Sequence, residues 1–247
     1  MKNILITGGS GGIGSDVARR VAARGDKPVL IARDLARLEA IASQTNGVVY
    51  TADVLDVEAM SATIKQIEEE VGEIDGVVHA VGSVLLRPLH AVSLEDWRAT
   101  LDINATSAFI LLKNVLPPMM RRRRGSIVLF STVATKMGLT NHETIAAAKS
   151  AVEGIVTSAA ISYARYGIRI NAVAPALTRT ALSKNLWDNE MMLKASVAMH
   201  PLGRIGEPAD VGPAVMYFLS DESAWTTGQV LGVDGGLGTG MPPPKAI

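Results

Sequence analysis

The chain has 247 residues, 48% of them hydrophobic and 19% charged, so it can bury a large core without covalent staples. Its 24 Lys and Arg balance 24 Asp and Glu, which argues against a general polyanion binder, and with no cysteine, disulfide scaffolding and thiol chemistry are excluded. Met1-Lys2-Asn3 runs directly into Ile4-Leu5-Ile6, too short an apolar run for a signal peptide, and Lys113 breaks the apolar stretch from Phe109 to Met120. The expectation is a cytoplasmic protein with no membrane span and no nucleic-acid partner.

Short β-branched runs alternate with helix-like segments along the chain. The expected strands are Asn3–Thr7, Pro28–Ala32, Val48–Asp53, Gly76–Ala80, Ser126–Ser131, Arg169–Ala174 and Gln229–Val233. They are continuously apolar, as parallel strands covered on both faces should be. The first helix signal, Gly12–Arg24, ends at Gly25; Asp56 caps a segment that stops at Gly72. Ser93-Leu94-Glu95-Asp96 reads as a capping box, and Thr140-Asn141-His142-Glu143 as another, opening a long helix that closes at Gly167. Pro208–Leu219 is the last clear helix. Between these, Arg121–Arg124 reads as the solvated basic end of a helix, where cations suit the macrodipole. Contact with phosphate or nucleic acid is the lesser reading, given only 4% aromatic residues. With no linker or repeat, the chain reads as one domain over residues 1–247, with a loose tail at 240–247.

Thr7-Gly8-Gly9-Ser10-Gly11-Gly12-Ile13-Gly14 follows the first strand and opens the first helix. A turn there must be tight and must let backbone approach a pyrophosphate, which glycine permits. The helix N-terminus then offers free N–H groups to the phosphates. This placement makes a nucleotide site the favoured reading over a plain flexible loop. The alternation of elements then implies an α/β fold: a Rossmann-like, doubly wound, seven-stranded parallel sheet flanked by helices on both faces.

Gly8, Gly12 and Gly14 spell Thr-Gly-x-x-x-Gly-x-Gly, and the chain resembles the short-chain dehydrogenase/reductase family, in the single-domain form typified by 3-oxoacyl-carrier-protein reductases. The resemblance extends through Ala52-Asp53-Val54, Asn104, Ser126–Thr132, Lys149, Asn171–Pro175 and Val233-Asp234-Gly235-Gly236. It implies a cofactor site of Gly8, Ser10, Gly12, Ile13, Gly14, Arg33, Asp53, Val54, Lys149 and Thr180, with Asp53 toward the adenine and Thr180 at the nicotinamide carboxamide. At the end of the second strand, Ala32 stands where NAD users place a carboxylate and Arg33 follows, so NADP(H) is favoured over NAD(H). Asp34 and Gly11 weigh the other way, and an ordinary exposed Arg33 is the plain alternative.

The family's chemistry uses a Tyr four residues before a Lys, with a Ser from the preceding strand, and here the pattern breaks. Lys149 matches the lysine, but Ile145 stands in the tyrosine position and has no proton to give. Thr132, thirteen residues before Ile145, matches the serine and keeps its hydroxyl. Asn104 matches the residue that organises a water relay to the lysine. Tyr163 lies fourteen residues beyond Lys149, about 21 Å along a helix, and cannot substitute. His142 precedes Ile145 by three residues and is the nearest replacement donor, against a plainer reading as a residue that shapes the cleft. His90 and His200 have no metal-site spacing, and no metal is expected.

The catalytic candidates are therefore Thr132, Lys149, Asn104 and His142. The expected activity is NADP(H)-dependent oxidoreduction of a small carbonyl or alcohol by an atypical site. The alternative is a non-catalytic NADP(H) binder, acting as a sensor or partner subunit. The segment 181–208 reads as a substrate lid. By the same resemblance, helices near 97–120 and 145–165 would pair into a homodimer or homotetramer, helped by small residues Ala146, Ala147, Ser150 and Gly154.

Overall fold

A computed structural model describes residues 1–240, so most of the expected tail lies outside the described residues. Seven strands form the sheet: β1 (Asn3–Thr7), β2 (Lys27–Ala32), β3 (Val48–Thr51), β4 (Gly76–His79), β5 (Gly125–Phe130), β6 (Ile168–Pro175) and β7 (Val230–Val233). All pair in parallel, in the order β3-β2-β1-β4-β5-β6-β7. Each expected strand forms, with ends moved by no more than about two residues, as is usual for element boundaries.

Neighbouring side chains on a strand face opposite sides, and both sides are dry. Ile4 and Ile6 join Leu30, Val78 and Val128 under α1 (Gly12–Ala23), α2 (Leu35–Thr45) and a later helix, Pro208–Leu219. Leu5, Val29, Val77 and Ile127 face α3 (Val57–Glu70) and the helices that follow β4 and β5. Those in contact are α5 (Ser107–Arg122) and α6 (Glu143–Ala164), while α4 (Leu94–Leu101) packs on α6. Beyond β6 come α7 (Lys184–Trp187), α8 (Glu190–Met199) and α9 (Pro208–Leu219). α6 is long and apolar enough to cross a membrane, but its Val152 and Val156 are buried in this core.

The expected caps form in part. Asp56 accepts from the Ala59 N–H at 2.9 Å; at Ser93 only half of the box forms, its Oγ accepting from the Asp96 N–H at 3.0 Å while the Asp96 carboxylate pairs with Arg87. The expected box at Thr140 does not form. Asn141 takes a left-handed turn at φ 64°, so α6 starts at Glu143 with His142 in the capping position and no side-chain cap. α2 has no counterpart among the expected helices; Asp34 caps it by accepting from the Arg37 N–H at 3.1 Å. The arginine run is divided among structural tasks. Arg122 is mostly buried and pairs with Glu68 at 3.2 Å, Arg123 closes α5 in a left-handed turn, and Arg124 pairs with Asp75.

The strand order reverses between β1 and β4. In doubly wound sheets, ligands bind beyond the carboxyl ends of the strands at this switch point. The loops after β1, β4, β5 and β6 meet there.

Candidate active site

The glycine loop leaves β1 through Gly8 at φ 73°, a conformation that favours glycine, with backbone only 2.5 Å from where a Cβ would stand. Gly12 opens α1 directly against Thr180; a Cβ there would come within 2.7 Å of the threonine methyl. This leaves bare backbone and a helix N-terminus, a cradle that fits the pyrophosphate of a dinucleotide.

On the β2 side, Arg33 is largely exposed and lies 4.0 Å from Asp53. Asp34 Oδ1 is engaged as the α2 cap. Arg37 adds a guanidinium that the sequence reading passed over: its Nη2 donates to the Ser10 carbonyl at 3.3 Å, reaching the glycine loop itself. The available signal was Asp34 as an N-cap, which places Arg37 in the first turn beside Arg33.

His79 ends β4 and is buried. Ser107 Oγ donates to the Ile103 carbonyl at 2.7 Å, so it accepts His79 Nε2–H at 2.9 Å. His79 Nδ1 then accepts the Thr7 hydroxyl at 2.7 Å. The neutral ring thus ties β1 and β4 to α5. Burial, with the nearby Lys149 charge, pushes its pKa down to about 3. Between that value and the ordinary 6.5, only the unfolded chain takes up the proton, so acid favours unfolding. Stability should therefore fall from pH 7 to pH 5 by about 2 kcal/mol through this ring alone. Urea unfolding of His79→Asn should show that fall reduced by the same amount; an unchanged fall would contradict it.

A cavity of about 520 Å³ opens beyond β4, β5 and β6. Its wall includes Ile13, Asn104, Thr132, His142, Ile145, Lys149 and Thr180. The structure therefore brings together all four catalytic candidates and part of the expected cofactor set. Among the described residues no tyrosine lines the cavity. Tyr163 sits at the far end of α6, and Ile145 is buried in the cavity wall.

Asn104 lies on a π-helical segment, Asp102–Thr106, between α4 and α5, and is fully buried. Its amide donates to the Thr100 carbonyl at 2.9 Å and to Ser83 Oγ at 3.1 Å, and its Oδ1 accepts the Ser83 N–H at 3.2 Å. Such bulges often mark functional positions. Thr132 follows β5 in extended backbone and heads a short turn, 133–135. Glu153, unremarked in the sequence, holds that turn: its Oε1 accepts Ser131 Oγ at 2.6 Å and Thr135 Oγ1 at 2.7 Å.

Lys149 is the unusual group. Its side chain is largely buried, and its Nζ rests against Gly82 at the cavity wall. Desolvation lowers its pKa to about 8. His142 is less well equipped. Its Nδ1–H donates to the Thr140 carbonyl at 2.8 Å, which leaves Nε2 of the neutral ring an acceptor.

These features define a nucleotide-dependent oxidoreductase of the short-chain dehydrogenase/reductase family, to which the chain belongs: residues 8–238 match the family described as Enoyl-(Acyl carrier protein) reductase. It is 35% identical to 3-oxoacyl-[acyl-carrier-protein] reductase FabG of Vibrio cholerae, over 96% of this chain and 97% of that protein. It is 34% identical to a protein named Inactive 2-(S)-hydroxypropyl-CoM dehydrogenase 2 from Xanthobacter autotrophicus, over 90% of this chain and 99% of the other. A gluconate 5-dehydrogenase from Burkholderia cenocepacia, solved with NADP and tartrate, superposes with a TM-score of 0.93 at 29% identity, covering 97% and 96% of the two chains.

Proposed function

We propose that the protein is an NADP(H)-dependent carbonyl reductase or alcohol dehydrogenase in which Lys149, rather than a tyrosine, is the source of the proton. The observation that carries this reading is Lys149, a largely buried side chain with a pKa lowered by desolvation, in the wall of the cavity that also holds Thr132. Gly8, Ser10, Gly12, Ile13 and Gly14 hold the pyrophosphate, Asp53 and Val54 border the adenine, and Thr180 meets the carboxamide. When bound, the nicotinamide nucleotide supplies or takes the hydride. Thr132 Oγ1 orients the substrate oxygen, and Lys149 protonates it directly or through water held near Asn104. His142 borders the cleft, and 181–208 covers it as a lid.

A lysine with a pKa near 8 is still charged at neutral pH yet gives up its proton readily, as an acid catalyst should. The test is NADPH oxidation against ketones, aldehydes and 3-oxoacyl thioesters; absence of turnover with all three classes would defeat the reading. Cofactor choice has its own test. Arg33→Ala with Arg37→Ala should weaken NADPH binding about 10- to 100-fold by fluorescence titration and leave NADH almost unchanged, because two charge-assisted contacts to the 2′-phosphate are lost.

The same residues support a second reading, a nucleotide binder without turnover, favoured by Ile145 and by a relative named inactive. It predicts cofactor affinity alone. We also propose a cytoplasmic, single-domain protein that acts on a small-molecule substrate and assembles as a homodimer or homotetramer. Exposed Phe109 and Ile161 on α5 and α6 support that assembly, and at Gly154 nothing stands within 4 Å of where a Cβ would be.

A further inference from the structure

The cavity holds a polar group that the chemistry above does not use. His200, at the end of α8, lines the cavity with its side chain 3% exposed. Its Nδ1–H donates to the Ser196 carbonyl at 2.7 Å, which makes Nε2 of the neutral ring an acceptor. That Nε2 is buried and has no partner. Buried acceptors are seldom left so in folded proteins, and one in a ligand cavity is completed by the ligand. The cavity it lines also has Met192, Met199 and Leu237 in its wall, and a leucine in place of His200 would leave no orphaned atom.

His200 also lies away from the reacting centre. Lys149 Nζ rests against Gly82, in the segment leaving β4, 3.3 Å from where a Cβ would stand. His200 Cδ2 rests against Gly235, in the segment leaving β7, 3.4 Å from the corresponding point. Three strand spacings separate β4 from β7, about 14 Å across the sheet. The cavity wall is mostly apolar, with Asn104, Thr132, His142 and Thr180 among its polar side chains besides Lys149 and His200.

Resting on the oxidoreductase reading of this cavity, we propose that His200 is a second substrate anchor. Its Nε2 accepts a hydrogen bond from a hydroxyl or amide N–H carried several carbons from the reacting carbonyl. The substrate class is an elongated apolar ketone or secondary alcohol with a hydrogen-bond donor at its far end.

The test is calorimetric binding of 2-octanone and 8-hydroxy-2-octanone to the NADP⁺-loaded protein. The hydroxyketone should bind about tenfold more tightly, as expected when a ligand completes a buried hydrogen bond. In His200→Asn the amide N–H can keep the bond to the Ser196 carbonyl while Nε2 is lost. That variant should bind both ketones alike, at the wild-type affinity for 2-octanone. The ¹⁵N resonance of His200 Nε2 in the wild type should move with the hydroxyketone and not with 2-octanone, a readout independent of any variant's folding. Equal binding in the wild type, failure of both to bind, or a preference that survives His200→Asn would overturn the proposal. A preference without NADPH oxidation would sink the oxidoreductase reading and leave the anchor standing; oxidation of both ketones at equal affinity would do the reverse.

Discussion

Ile145→Tyr is expected to raise reductase turnover by about 10²- to 10⁴-fold, the usual contribution of a positioned general acid. Ile145 is buried in the cavity wall, one helical turn before Lys149 on α6, so the two side chains share a face. A phenol at that position would reach into the cavity that Thr132 also lines, and the lysine charge beside it would favour its ionised form. The rest of the site needs no rebuilding: the glycine loop, Asn104 and Thr180 are already in place. Steady-state NADPH oxidation measures the gain. No gain in a variant that still binds NADPH would mean that Ile145 does not face the reacting oxygen.

Lys149→Met should act in opposite directions on activity and stability. Turnover should fall by at least about 10²-fold, because the proton source is lost. Stability should rise at neutral pH, because a desolvated charge is removed. The sign follows from where the proton leaves. The folded protein releases it at about 8 and the unfolded chain near 10.5, so the buried ammonium weakens the fold below pH 8 and ceases to do so as pH rises toward 10.5. The gain is on the order of 3 kcal/mol below pH 8 and vanishes by about pH 10.5. Urea unfolding at pH 7 and pH 10 measures both limits. A variant less stable than wild type at pH 7 would show that the ammonium is better satisfied than its surroundings indicate.

The sheet was legible because a parallel strand buried on both faces is almost continuously apolar, as in Ile4-Leu5-Ile6 and Val77-Val78. The glycine loop was legible because its spacing reflects a local turn between one strand and one helix. What escaped notice depends on partners distant in sequence. Arg37 matters only once α2 folds back toward Ser10, 27 residues away. Glu153 gains its role from Ser131, 22 residues earlier, and looks like any other charged residue on a helix. His200 carries no motif, and its position becomes meaningful when β7 brings Gly235 against it. The misread start of α6 has a local cause: Thr140 and Glu143 have the spacing of a capping box, but the left-handed turn at Asn141 moves the helix past it.

The central claim is that a site without the tyrosine still delivers a proton, and that Lys149 delivers it. The most direct measurement is single-turnover oxidation of NADPH by the wild-type protein with a ketone in excess, followed from pH 6 to pH 10. The account predicts measurable oxidation whose rate is level at low pH and falls about tenfold per pH unit above 8, as the ammonium is lost. Tight NADPH binding with no oxidation at any pH, while Ile145→Tyr turns over under the same conditions, would contradict it and leave the protein as a nucleotide binder.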